Sequence, residues 1–218
     1  MKTGTGKNIG FPEQLGVLIC SFVLVHCEEP INRFDKIYLI NQYRTQSYLA
    51  RNGHSTCSGT SKFAIETNKK ASRDALWEIR SANEPNVGGP IKYEDKIQLI
   101  NIAGTKSYLD TCGGSKGIYG VQTSTSPNRD GESGTWEIKA VGDIMAWKRG
   151  GSIKSGDKIH LKNRYMMPYL DTFGGFDGEY GVQTSPNPDR DSGSGTWKIV
   201  SEGCFDMMNG DIPCALNY

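Results

Sequence analysis

The chain's 218 residues are 36% hydrophobic and 22% charged, with 27 glycines, enough for one large domain or two small ones. Aromatic and aliphatic residues recur along the whole length, which excludes collagen-like repetition and wholesale disorder. A formal net charge of +1, from 25 basic and 24 acidic residues, disfavours nucleic acid or an anionic membrane as a partner.

The amino terminus reads as a processing segment. Lys2 and Lys7 precede an apolar run of 13 residues, Leu15 to Cys27, followed by Glu28, Glu29 and Pro30. Thirteen residues are too few to cross a hydrocarbon core of ~30 Å as a helix, but they suit the apolar part of a signal peptide. A buried strand or helix is the alternative. Residues 1–27 are therefore expected to be a signal peptide cut near Cys27–Glu28, and 28–218 a secreted domain without a membrane span. The remaining part carries 23 basic and 23 acidic residues, so it is neutral overall.

Cleavage there leaves Cys57, Cys112, Cys204 and Cys214. An even count in an exported chain suggests two disulfides with three possible pairings. Cys204 and Cys214 bracket a short polar loop and are the favoured local pair, leaving Cys57 with Cys112. No Cys-x-x-Cys spacing occurs, and His54 and His160 stand alone, so neither a metal nor another cofactor is expected.

Internal repetition dominates the rest of the chain. Asp-Lys-Ile begins at Asp35, Asp95 and Asp157, each time leading into an alternating apolar/polar segment. Tyr-Leu recurs at Tyr48, Tyr108 and Tyr169, and a Trp followed by a charged residue and Ile at Trp77, Trp136 and Trp197. The Trp spacings are 59 and 61, and the Asp-Lys-Ile spacings are 60 and 62. Three markers in step define repeats at about 31–90, 91–152 and 153–202, with a tail at 203–218.

Each repeat reads as four short strands separated by turns rich in Gly, Ser, Asn, Asp and Pro. An all-β protein of three units with four strands each predicts a β-trefoil, in which two hairpin pairs per unit close a six-stranded barrel capped by three hairpins. The three repeated Trp side chains are expected to meet at its centre. Trp147 lies outside the repeat and is expected at the surface.

Repeats two and three, SYLDTCGGSKGIYGVQTSTSPNRDGESGTWEI and PYLDTFGGFDGEYGVQTSPNPDRDSGSGTWKI, resemble ricin-B-type lectin repeats and are similar in outline to fascin-like β-trefoils. The resemblance implies sugar binding. It assigns the hydroxyl-accepting carboxylate to Asp110 and Asp171, the stacking aromatic to Tyr119 and Tyr180, and the amide to Asn128 and Asn187. The pairs Gly113–Gly114 and Gly174–Gly175 would let the backbone approach a ligand. Two departures stand out. The lectin signature Gln-x-Trp is here Gly-x-Trp, at Gly134 and Gly195, and repeat one has Ala50 in place of the Asp. On structural grounds alone, the two Asp residues could instead cap turns and the Tyr residues could be packing.

The loops before the later Trp residues are acidic: Asn128-Arg-Asp130-Gly-Glu132 and Asp189-Arg-Asp191. They fail the EF-hand frame, since no Glu stands twelfth from Asp189, so Arg129 and Arg190 are expected to pair with the carboxylates and hold the loops. Catalytic motifs are missing from the sequence, and no catalytic residue is assigned. The expected function is a secreted, multivalent binder of glycans or glycoproteins. A non-catalytic interaction module, such as a protease inhibitor or matrix protein, is the alternative.

Overall fold

The computed structural model describes residues 27–53, 63–142 and 151–209. Each repeat folds into four strands, as expected: β1 (Lys36–Asn41), β2 (Ser47–Asn52), β3 (Ala64–Asn68) and β4 (Trp77–Ser81) in repeat one; β5 (Lys96–Asn101), β6 (Ser107–Ser115), β7 (Ile118–Ser124) and β8 (Trp136–Ala140) in repeat two; β9 (Lys158–Asn163), β10 (Tyr169–Phe176), β11 (Glu179–Ser185) and β12 (Trp197–Ser201) in repeat three. A helix, α1 (Glu202–Asn209), follows directly.

Strands β1, β12, β9, β8, β5 and β4 pair antiparallel in that order, and β4 returns to β1, so the ring closes. The hairpins β2–β3, β6–β7 and β10–β11 continue from it, and β3, β7 and β11 pair with one another at one end. All twelve strands thus belong to a single hydrogen-bonded sheet. The β-trefoil expected from the repeat count is therefore corrected to a closed antiparallel β-barrel. The reason lies in the main-chain pairing, which does not stop at the barrel rim: the hairpins extend the wall instead of forming a separate cap. Closure also removes the unpaired edges that an open sheet would expose.

Alternation along the strands sends one face inward. Ile37, Leu39, Ile97, Leu99, Ile159 and Leu161 join Trp77, Trp136 and Trp197 in one core, and all three indoles are fully buried. Each indole N–H finds a carbonyl, on Leu49 (2.8 Å), Leu109 (3.0 Å) and Leu170 (3.2 Å), so the polar atom of the Trp is not stranded in the core. Burying an indole of roughly 200 Å² contributes about 5 kcal/mol against exposure.

The Asp-Lys-Ile marker is a turn device. Asp35, Asp95 and Asp157 each accept the backbone N–H three residues earlier, at 2.7, 2.9 and 2.8 Å, which closes the turn before each first strand. Just ahead of these turns the units lock together. Ile31 N–H donates to Ile153, Ile153 to Ile91, and Ile91 to Ile31, at 2.7–2.8 Å.

The disulfide pattern differs from the favoured local pair. Cys204 is bonded to Cys27, with Cα atoms 5.7 Å apart, within the normal range for a disulfide. Cys204 sits in α1, where the sequence reading had placed a loop, and Phe205 of that helix packs on Tyr38 at 4.5 Å between ring centroids. The bond ties the start of the described chain to its end. It also places Cys27 in the folded domain, so the expected cut after Cys27 does not fit. Cys112 is disulfide-bonded as well; its expected partner Cys57 and the residue Cys214 lie outside the described residues, as do Trp147, His54 and the segment 1–26. No described helix is long and apolar enough to cross a membrane.

Candidate functional site

The hairpins of repeats two and three carry the residues singled out in the sequence. Asp110 faces Gln122 across β6–β7, and Asp171 faces Gln183 across β10–β11. Past Cys112 and Phe173 the register shifts at the glycine pairs. Gly113 and Gly174 have φ of 54° and 55° with open space around them, but a Cβ on Gly114 or Gly175 would lie 2.1 or 2.0 Å from the carbonyl oxygen of Ile118 or Glu179. The second glycine of each pair is thus required by the hairpin's own backbone, independently of any ligand.

Asp110 and Asp171 do not reach the surface; both are 0% exposed. Arg129 Nη2 lies 3.4 Å from Asp110 Oδ2, and Arg190 Nη1 lies 3.5 Å from Asp171 Oδ2. Both guanidiniums also hold the loops as expected. Arg129 donates to Asp130 Oδ2 and to the Thr111 carbonyl, and Arg190 to Asp191 Oδ2 and the Thr172 carbonyl, all at 2.8 Å. Burial pushes both carboxyls above the ordinary range, and the nearby Ser133 or Ser194 hydroxyl and the Arg charge offset this only in part.

The pH dependence follows from that direction. A carboxyl whose folded pKa is raised binds its proton more tightly when folded, so its cost is absent below the unfolded value of about 3.9 and develops as pH rises through the folded value. Relative to wild type, the double variant Asp110→Asn/Asp171→Asn is therefore expected to gain melting temperature as pH is raised from about 3.5 to 7. A difference that stays flat, or shrinks, in thermal melts across that range would contradict the direction.

The remaining expected site residues divide. Asn128 accepts the Thr135 hydroxyl at 3.0 Å, and Asn187 accepts the Asp189 N–H at 3.1 Å, so each holds its loop together. Tyr119 and Tyr180 are 8% and 2% exposed, with ring edges against Tyr165 and Tyr43 at 5.9 and 5.5 Å. Beside Tyr119 opens a hollow of about 150 Å³, walled by Thr111, Cys112, Gly113, Gly114, Ser133 and Tyr165, with Asp130 at its margin. The structure therefore brings Gly113, Gly114 and Tyr119 together, but leaves Asp110 behind the wall and Asn128 outside it.

Tyr165 and Ser133 were not among the expected site residues. Tyr165 was legible as a repeat: it stands two places after Asn163, as Tyr43 does after Asn41, and in both cases the Asn Oδ1 accepts the Tyr N–H, at 2.9 and 3.0 Å. The corresponding positions around Tyr180 are Thr172, Gly174, Gly175, Asp191 and Ser194 of repeat three and Tyr43 of repeat one, but Phe173, its ring against Gly181, stands where Cys112 does in repeat two. A second hollow, of about 320 Å³, lies beside the disulfide between Glu29, Asp35, Lys36, Glu202 and Met207. Among the described residues no group of three or more His, Cys, Asp or Glu is placed to hold a metal ion.

The chain matches no protein-family profile and no curated protein. Solved structures do share its fold. A Caenorhabditis elegans protein of unknown function superposes with a TM-score of 0.61 at 19% identity, over 79% of this chain and 97% of that one. The SDF2-like protein from Arabidopsis thaliana gives 0.60 at 13% identity, over 79% and 95%. The Saccharomyces cerevisiae protein O-mannosyltransferase Pmt1–Pmt2 complex, bound to the sugar donor, gives 0.59 at 14%, over 79% of this chain and 26% of that one. The expected kinship with ricin-B-type and fascin-like lectins is corrected by these likenesses, which are to proteins of the SDF2-like and mannosyltransferase kind. The departure at Gly-x-Trp has a matching physical cause. A Cβ on Gly134 or Gly195 would stand 2.0 Å from the carbonyl oxygen of Pro127 or Pro188, which leaves no space for the Gln of the lectin signature.

Proposed function

We propose that this chain is an exported, non-catalytic carbohydrate-binding module that takes one saccharide unit into the hollow beside Tyr119, and a second into its counterpart in repeat three. The observation that carries the reading is the composition of that hollow. A carboxylate at the margin, Asp130, can accept hydroxyl hydrogens through Oδ1 while Arg129 holds Oδ2. The Tyr119 and Tyr165 rings offer apolar wall to ring C–H groups, and glycine backbone allows close approach. A volume of about 150 Å³ suits one small polar ring better than a drug-sized ligand. Asp110 and Asp171 act from behind the wall, through the arginines that set Asp130 and Asp191. The Cys27–Cys204 bond supports an oxidising compartment, with any signal cleavage ahead of Cys27.

Each site is small and open, so affinity on the order of millimolar per site, raised by avidity on a decorated surface, is the expectation. Asp130→Asn and Tyr165→Ala are each expected to weaken binding about tenfold or more at the repeat-two hollow, read by NMR titration with ligands from a glycan array. Folded protein that retains no glycan on the array would dismiss the reading. One observation favours the alternative of a protein-binding module: Phe176, at the end of β10, and Met166, between β9 and β10, are 80% and 65% exposed. Inhibition of common serine or cysteine proteases, with no glycan retained, would decide for it.

A further inference from the structure

Around the position of the hollow, repeat one departs from repeats two and three. By strand register Arg51, opposite Ile65, occupies the position of Thr111, opposite Val121, and of Thr172, opposite Val182. The walls correspond too. Phe63 takes the place of Tyr119 and Tyr180, because the N–H of each donates to the threonine hydroxyl of a neighbouring repeat: Thr123 (3.2 Å), Thr184 (2.8 Å) and Thr67 (2.9 Å). Ala103 takes the place of Tyr165 and Tyr43, its N–H bound to Asn101 Oδ1 at 3.1 Å. Asp74 takes the place of Ser133 and Ser194. Its carbonyl accepts the Asn101 amide at 2.7 Å, as theirs accept the Asn163 and Asn41 amides at 2.8 and 2.9 Å.

The Arg51 side chain fills the space these walls enclose. Its guanidinium lies 4.4 Å from the Phe63 ring centroid, and a Cβ placed on Gly104, next to Ala103, would come within 3.6 Å of its nitrogen. Its Nε donates to Asp74 Oδ1 at 2.6 Å, and the side chain is only 16% exposed. We infer that Arg51 is a built-in plug of the repeat-one hollow, a planar polar group held between the same walls that are open beside Tyr119. The small Ala103 and the acidic Asp74 are its matching changes, since one gives the guanidinium space and the other neutralises it. Insofar as the hollows take saccharide, which rests on the function proposed above, Arg51 closes repeat one to it.

Two measurements on the full chain separate the plug from the saccharide reading. In thermal melts, Arg51→Ala is expected to lower Tm by roughly 3–6 °C, and low-millimolar methylguanidinium to restore at least half of that loss, with methylammonium ineffective and wild type unmoved. Arg51→Thr, the residue that repeats two and three carry, suits the strand and stands in if the Ala variant does not fold. Absence of rescue in the folded variant, or equal response of wild type, overturns the plug. By NMR titration, Arg51→Ala is expected to bind methylguanidinium with shifts centred on Phe63, Asp74 and Ala103, which line the plug; shifts absent there, or equal in wild type, also overturn it. If wild type binds no saccharide, the proposed function fails while the rescue still decides the plug.

Discussion

Gly134→Ala is expected to destabilise the protein by at least ~3 kcal/mol and to lower Tm by roughly 6–12 °C. The added methyl would meet the Pro127 carbonyl oxygen at 2.0 Å and its carbon at 3.0 Å. Both atoms belong to the backbone of the loop that carries Asn128, Arg129 and Asp130, so relief requires the loop to move as a whole. Such a shift also strains the Thr135–Asn128 bond and the Arg129 contact with Thr111. Gly195→Ala meets the same obstacle at Pro188 O and is expected to behave alike. Gly113→Ala is the control: its φ is 54° but nothing lies within 4 Å, so only left-handed backbone strain of about 1 kcal/mol applies. Urea or thermal unfolding that finds Gly134→Ala no worse than Gly113→Ala would refute the close approach.

Removing the Cys27–Cys204 bond with Cys27→Ser/Cys204→Ser is expected to cost about 2–5 kcal/mol, a fall in Tm of roughly 5–15 °C. The bond spans 177 residues, so its loss restores freedom to nearly the whole unfolded domain. It also frees the segment before Ile31, whose hydrogen bonds close the ring with Ile91 and Ile153, and loosens α1 with Phe205 on Tyr38 and Tyr48. Peptide mapping of the oxidised protein checks the premise, because a Cys204–Cys214 linkage would remove it. Equal stability of the double variant would show that helix packing alone holds the two ends.

The repeat and the strand cores were legible because burial acts on a period of two and the same pattern occurs three times. Ile37 and Leu39, Ile97 and Leu99, and Ile159 and Leu161 announce an inward face, and each Trp opens the last strand of its unit, 40 to 42 residues after the Asp. The turn role of Asp35, Asp95 and Asp157 was not assigned from the sequence, although a side-chain oxygen serving an amide three residues back is a local interaction. The loop-holding role of Arg129 and Arg190 was read correctly, since both lie beside the carboxylates they bind.

The site was only partly legible. Asp110 and Asp171 sit beside the glycine pairs in sequence and face away from the core-facing Leu109 and Leu170, yet the following loops close over them with Arg129 and Ser133 or Arg190 and Ser194, and a motif match does not report what covers a strand face. Tyr165 was overlooked because it comes from the repeat after the one whose hollow it lines. Cys27 was assigned to a removable segment because apolar sequence near an amino terminus carries no sign of a partner 177 residues away.

By itself, then, the sequence determined that the protein is all-β, threefold in its repetition and centred on Trp77, Trp136 and Trp197. Local periodicity and turn chemistry are short-range and survive in a linear text. Tertiary structure alone decided that the hairpins extend one closed barrel, that Cys27 meets Cys204, that Asp110 is buried while Asp130 is open, and that Arg51 lies against Phe63. Each of these depends on contacts between distant segments, where burial and hydrogen-bond satisfaction across the whole sheet choose among partners that the sequence leaves equivalent.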